Sequence, residues 1–140
     1  MKGKTHLPPK NTKKPKSTKS SAKKAREKIA QLKLLYVPMP DANTAHQLIQ
    51  KALAAKLIAC ANQWPIQSSY YWQGKLCQDQ EIAVLFKTAQ SKIAALENWL
   101  QKEHPYETPC FLRLSPETCN PAYLNWAMGC LQEQEPEQEP

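Results

Sequence analysis

All eleven aromatic residues of this 140-residue chain fall between Tyr36 and Trp126, and that confinement decides which part of it can fold. A segment without large apolar side chains cannot offset the entropy of ordering its backbone. Residues 1–33 and 132–140 are therefore expected to be disordered tails around a single domain spanning 34–131. A domain of about 100 residues buries around two-thirds of its unfolded surface, enough to fold without covalent staples.

Charge divides along the same boundaries. Residues 1–33 hold twelve of the nineteen Lys and Arg residues and one acid, Glu27. The expected domain holds seven bases and seven acids, and the last nine residues hold four glutamates. The formal charge of +7 therefore describes an arm, not a surface of the domain. Lys13-Lys14-Pro15-Lys16 and Lys23-Lys24-Ala25-Arg26 suit weak, salt-sensitive contact with nucleic acid or an acidic partner, or simply a solvated arm. A neutral domain offers no base-reading surface.

Five cysteines, at 60, 77, 110, 119 and 130, are odd in number and show no Cys-x-x-Cys spacing. A disulfide framework or structural zinc site is not expected, and a reduced, cytoplasmic chain is. No run approaches the roughly 18 apolar residues of a membrane span, and the charged amino terminus lacks the apolar stretch of a secretory signal.

Within 34–131 the periodicity alternates between strand and helix. Leu34-Leu35-Tyr36-Val37 is an apolar run stopped by Pro38 and Pro40. Asp41 offers a capping oxygen to a helix whose stripe is Ala45, Leu48, Ile49, Ala52 and Leu53. Ile66, Ser68, Tyr70 and Trp72 alternate with polar residues up to a Gln73-Gly74 turn. Ile82-Ala83-Val84-Leu85-Phe86 is apolar on both faces, as a central strand covered twice would be. Ser91 is a candidate cap for a helix carrying Ile93, Leu96, Trp99 and Leu100, which Pro105 ends near Glu103. Cys110, Leu112 and Leu114 line a last strand, and Asn120 to Leu131 form a terminal helix. Ahead of the domain, Ala22, Ala25, Ile29 and Leu32 allow a short, frayed helix from Ser21. The order βαββαβ plus a helix predicts an α+β, ferredoxin-like sandwich. Its two long middle strands leave sheet edges that another copy of the chain can cover.

Chemistry-bearing residues are few. His104 suits a metal ligand, a general base or a proton switch, or equally a charge at the end of a helix. Cys60 with His104 as base would make a nucleophile, but its apolar setting suits a small buried side chain. Tyr70, Tyr71 and Trp72 beside the turn suit base stacking or, in a chain with three glycines and no phosphate loop, a subunit interface. Lys87 leaves a core strand either to pair with a carboxylate or to reach water. No acid–base pair is visible, and an enzyme is not expected.

Five segments, in order, resemble the CutA family of divalent-cation tolerance proteins: Ala59-Cys60-Ala61-Asn62, Tyr70 to Lys75, Lys87-Thr88, His104 to Pro109, and Asn120 to Trp126. The resemblance runs from about Lys33 to Leu131. It implies a ferredoxin-like protomer in a homotrimer with strands paired between subunits, a role in tolerance to copper and other divalent ions, and clefts like those of the PII signalling proteins. It places Tyr70, Trp72, Lys75, Lys87, Tyr106, Tyr123 and Trp126 at an interface or ligand cleft. The chain departs from the family's copper pattern: Val37 stands where relatives carry a cysteine, and Glu103 where they carry the first of two histidines. Gln73, Cys77 and Cys110 replace carboxylates. Two readings follow: a trimer in which His104 with Cys77 or Cys110 holds a soft copper or zinc ion, and a regulatory or scaffolding trimer that takes a small ligand or partner in its clefts.

Overall fold

Alternation along β-strands sorts side chains onto two faces, and here the two faces have different fates. The computed structural model describes residues 19–132. In order the elements are α1 (Lys19–Gln31), β1 (Leu32–Met39), α2 (Ala42–Ala54), β2 (Cys60–Trp72), β3 (Lys75–Ala89), α3 (Ile93–Glu103), β4 (Leu112–Leu114) and α4 (Pro121–Leu131). The strands form one antiparallel sheet in the order β2-β3-β1-β4. The fold is thus α+β, with β3 and β1 central, as the doubly apolar run 82–86 requires.

Pairing sets Leu35 opposite Phe86 and Val37 opposite Val84 on the first face. Ala45, Leu48, Ile49 and Ala52 of α2 and Leu96 and Leu100 of α3 close over them. Leu53, expected on the α2 stripe, stands exposed because the helix rolls its Ala52 side onto the sheet. Asp41 caps α2 as expected, its carboxylate accepting from the Thr44 amide at 2.7 Å. Ser91 does not cap α3; Lys92 holds that position without a side-chain hydrogen bond. Arg113 clamps β4 to α3 through two bonds to Glu97, 2.6 and 2.7 Å.

The second face carries Tyr36 opposite Leu85 and Trp64 opposite Ala83. Here α4 packs Ala127 and Leu131 against Ala59 and Ala89. Much of the rest is open: Trp64, Leu112, Leu114 and Trp126 are 40, 52, 45 and 48 % exposed. The β2–β3 hairpin projects past this core to its tip, where Gln73 and Gly74 take φ of 50° and 78°.

Three boundaries differ from the sequence reading. β1 does not stop at Pro38 but runs through it to Met39. Pro38 is tolerated because it lies beyond the three β1 residues that β4 pairs, so no ladder bond is asked of its missing amide. The last strand begins at Leu112, leaving Cys110 in the preceding loop. The short helix allowed from Ser21 begins at Lys19, within the arm expected to be disordered through residue 33, and β1 starts at Leu32, which is 3 % exposed. A shallow recess between α1 and α4, lined by Ala25, Ile29, Pro121 and Leu124, shows what this helix leans on. The remaining tail expectations, on residues 1–18 and 133–140, lie outside the described residues. Among the described residues no helix is long and apolar enough to cross a membrane.

α2 ends in a Schellman-type turn, with Leu57 N–H bonded to Ala52 O and Lys56 N–H to Leu53 O. Lys56 sits at the left-handed position with φ 55°, where glycine would be unstrained. Lys56→Gly is expected to raise stability by about 1 kcal/mol, and Phe86→Ala to lower it by about 4 kcal/mol. Equilibrium denaturation of the full chain checks both.

Candidate ligand cleft

The loop between α3 and β4 is organised by His104. Its backbone closes α3 by donating to Leu100 O at 2.8 Å. Its buried ring then bonds at both nitrogens: Nε2–H donates to Pro38 O at 2.8 Å, and Nδ1 accepts from the Tyr106 amide at 3.1 Å. A carbonyl can only accept and an amide can only donate, so the ring is held as the neutral Nε2–H tautomer. The His104 ring also lies 4.8 Å from that of Tyr106. A metal at Nδ1 would have to displace the Tyr106 amide. In this chain His104 positions the loop, and the geometry leaves it no ready lone pair for a metal ion.

What His104 holds in place is one wall of a cleft of about 520 Å³. Pro105, Tyr106, Glu107, Thr108 and Cys110 line that side, and Tyr70, Trp72, Cys77 and Glu81 of the hairpin line the other. Tyr106 bridges the walls by donating its hydroxyl to Glu81 at 2.7 Å. Tyr70 donates likewise to Asp79. Burial and the Glu81 carboxylate push the Tyr106 phenol well above the ordinary range, while the bond to Asp79 pushes Tyr70 up to about 12. Burial, with Glu81 adding, also raises the Cys110 thiol, which therefore resists becoming a thiolate.

The residues expected in one site thus divide into two groups. Tyr70, Trp72, Cys77, Tyr106 and Cys110 meet in the cleft, with His104 behind them. Lys75 lies at the hairpin tip opposite Trp72. Lys87, Tyr123 and Trp126 gather instead where α4 crosses β3. Lys87 Nζ stands 5.2 Å from the centroid of the Tyr123 ring, neither paired with a carboxylate nor free in water, and Tyr123 packs on Trp126 at 5.6 Å. The Tyr123 hydroxyl is buried without a hydrogen-bond partner, and burial, with Cys60 beside it, pushes it up to about 12. Among the described residues no three of His, Cys, Asp or Glu come together to hold a metal ion. The sequence reading missed Asp79 and Glu81. The signal was present, because 75, 77, 79 and 81 alternate onto the face that carries Tyr70 and Trp72.

A four-stranded antiparallel sheet with α2 and α3 on one face and α4 on the other, a long hairpin and this clamped loop describe an α+β fold. Residues 33–130 match the model of the CutA1 divalent ion tolerance protein family. The chain belongs to that family. It is 41 % identical over 93 residues to the divalent-cation tolerance protein CutA of Thermotoga maritima, covering 66 % of this chain and 92 % of that one. The solved CutA of Synechococcus elongatus superposes with a TM-score of 0.72 at 40 % identity, covering 74 % of this chain and 92 % of the relative. The periplasmic divalent cation tolerance protein CutA of Archaeoglobus fulgidus gives 0.70 at 29 % identity, covering 72 and 99 %.

The raised phenols stabilise the fold below the ordinary phenol pKa of about 10, and that contribution is lost as pH rises through their folded values. Asp79→Asn is expected to return Tyr70 towards the ordinary range while leaving Tyr106 raised. Ultraviolet titration of phenolate, compared with wild type, reads this directly.

Proposed function

We propose that the chain is a divalent-cation tolerance protein that binds rather than catalyses, working in the cytoplasm as a homotrimer of ferredoxin-like protomers. The strand order β2-β3-β1-β4, with α2 and α3 on one face, supports the ferredoxin-like reading. The open second face supports self-association: Trp64, Leu112, Leu114 and Trp126 form an apolar surface beside two strand edges, β2 and β4. Five free cysteines suit a reducing compartment. The exposed Lys19, Lys23, Lys24 and Arg26 of α1 suit weak polyanion contact that fades with salt.

The observation that carries the metal reading is the placement of Cys77 and Cys110 in one cleft beside Glu81. Thiols select soft ions such as Cu(I) and zinc. Because the described residues of one chain bring no three donors together, the site is completed by a neighbouring subunit, and His104 joins only by giving up the Tyr106 amide.

Light scattering of the full chain is expected to give three times the monomer mass, and Trp72→Ala to weaken assembly by about 2 kcal/mol. A folded monomer at micromolar concentration overturns the trimer. Under reducing conditions Cys77→Ser/Cys110→Ser is expected to lower Cu(I) and Zn(II) affinity at least about tenfold, and His104→Ala to lower it less. Equal affinity in wild type and both variants removes the metal site.

A further inference from the structure

The cleft has a chemical character that a soft-ion site does not use. Its walls present three aromatic rings, Tyr70, Trp72 and Tyr106, and two carboxylates, Glu81 and Glu107; no lysine or arginine among the described residues lines it, and Lys75 stands opposite Trp72 at the hairpin tip. Glu107 is exposed, but Glu81 is built into the fold. Glu81 is fixed by the Tyr106 hydroxyl, Tyr106 by the His104 ring, and His104 by Pro38 of the central strand β1. Tyr70 is fixed in turn by Asp79, which adds a third negative charge beside the cleft. The two phenol rings are therefore preorganised walls, and their hydroxyls are already committed to carboxylates.

Such walls discriminate by charge. A phosphate or nucleotide would meet the carboxylates with only Lys75, out at the hairpin tip, to offset them and no glycine-rich loop to receive it. A cation would meet carboxylates and the electron-rich faces of three rings, a combination that favours organic ammonium ions over compact, strongly hydrated ones. The volume, about 520 Å³, lies in the range of small-molecule sites, roughly 300–1,000 Å³, and suits a ligand held mostly by its walls.

We propose that this cleft is a binding site for a small organic cation, an alkylammonium or quaternary ammonium compound, seated against Trp72, Tyr70 and Tyr106 and neutralised by Glu81 and Glu107. The assignment is independent of the metal reading, because an ammonium ion needs neither thiol.

The test uses the full-length assembled protein and calorimetric titration with choline and, separately, with dimethylbutanol, its uncharged carbon isostere. Choline is expected to bind saturably and the isostere at least about tenfold more weakly. Equal binding of the two, or no saturable binding of choline, overturns the site. Glu81→Gln/Glu107→Gln removes both charges while an amide oxygen remains to accept from Tyr106. With the mass of the assembly unchanged, it is expected to weaken choline about tenfold, and unchanged affinity overturns the proposal. Cys77→Ser/Cys110→Ser, at two residues that line the same cleft, is expected to lower choline affinity less than the carboxylate variant does while Cu(I) and Zn(II) affinity falls. A loss of choline affinity equal to that of the carboxylate variant would place the ligand on the thiols and overturn the assignment. Failure of choline with metal binding intact removes this inference and leaves the metal reading standing. Binding of a trimethyllysine peptide without binding of free choline would move the cation onto a partner protein and overturn the small-ligand assignment.

Discussion

A histidine standing in for a strand holds this structure together. β1 has eight residues and β4 has three, so the far end of β1 loses its neighbour on one side. Pro38 removes the amide that would have been stranded there, and His104 Nε2–H takes the carbonyl that remains. A buried carbonyl without a partner costs on the order of 1–3 kcal/mol. The same ring accepts the Tyr106 amide, which sets the loop from Pro105 to Cys110 across the hairpin. Sheet edge, helix end and cleft wall therefore meet at one residue, the helix end through its backbone and the other two through its ring. Replacing the ring would disturb sheet edge and cleft wall together, which is why loss of a ligand in a His104 variant alone could not identify a ligating group.

Two tyrosines illustrate how burial and partnership separate. Tyr106 is tied to Glu81, whereas Tyr123, on α4, has its hydroxyl buried and unmatched and a lysine above its ring. Both phenols are raised, burial first in each case. The cause differs in the second contribution, a carboxylate for one and a thiol for the other. The first arrangement joins two walls of a cleft, and the second braces α4 against the end of β3.

Most of the fold was legible because its signals are local. Apolar stripes at helical spacing named α2 and α3, and the doubly apolar run 82–86 named the central strand. Proline misled at β1, since Pro38 reads as a terminator unless one knows that the adjacent strand has already ended. The strength of α1 was not legible either, because its one-sided stripe of Ala25 and Ile29 is thin until Pro121 and Leu124 are brought beside it. In the site, the aromatics and thiols announced themselves by type. Asp79 and Glu81 did not, because a surface carboxylate is ordinary until the strand register sets it on the same face as a phenol. The hydrogen bonds of His104 were not legible for a related reason: a residue type does not disclose which of its lone pairs the backbone has already taken.

The continuity of α1 with β1 has a mechanical consequence. Gln31 ends the helix and Leu32 begins the strand with no loop between them. A pull on the amino-terminal side of Lys19 therefore passes from the helix directly into a central strand whose eight residues pair with β3. The thirteen helical residues stand in series with that stiff element and are held far more lightly. Drawn out, they would lengthen by about 25 Å before the first rung of the sheet felt the full force. The chain thus carries a compliant tether spliced directly to its most rigid strand, and tension applied there would be absorbed as extension before it reached the clamped loop.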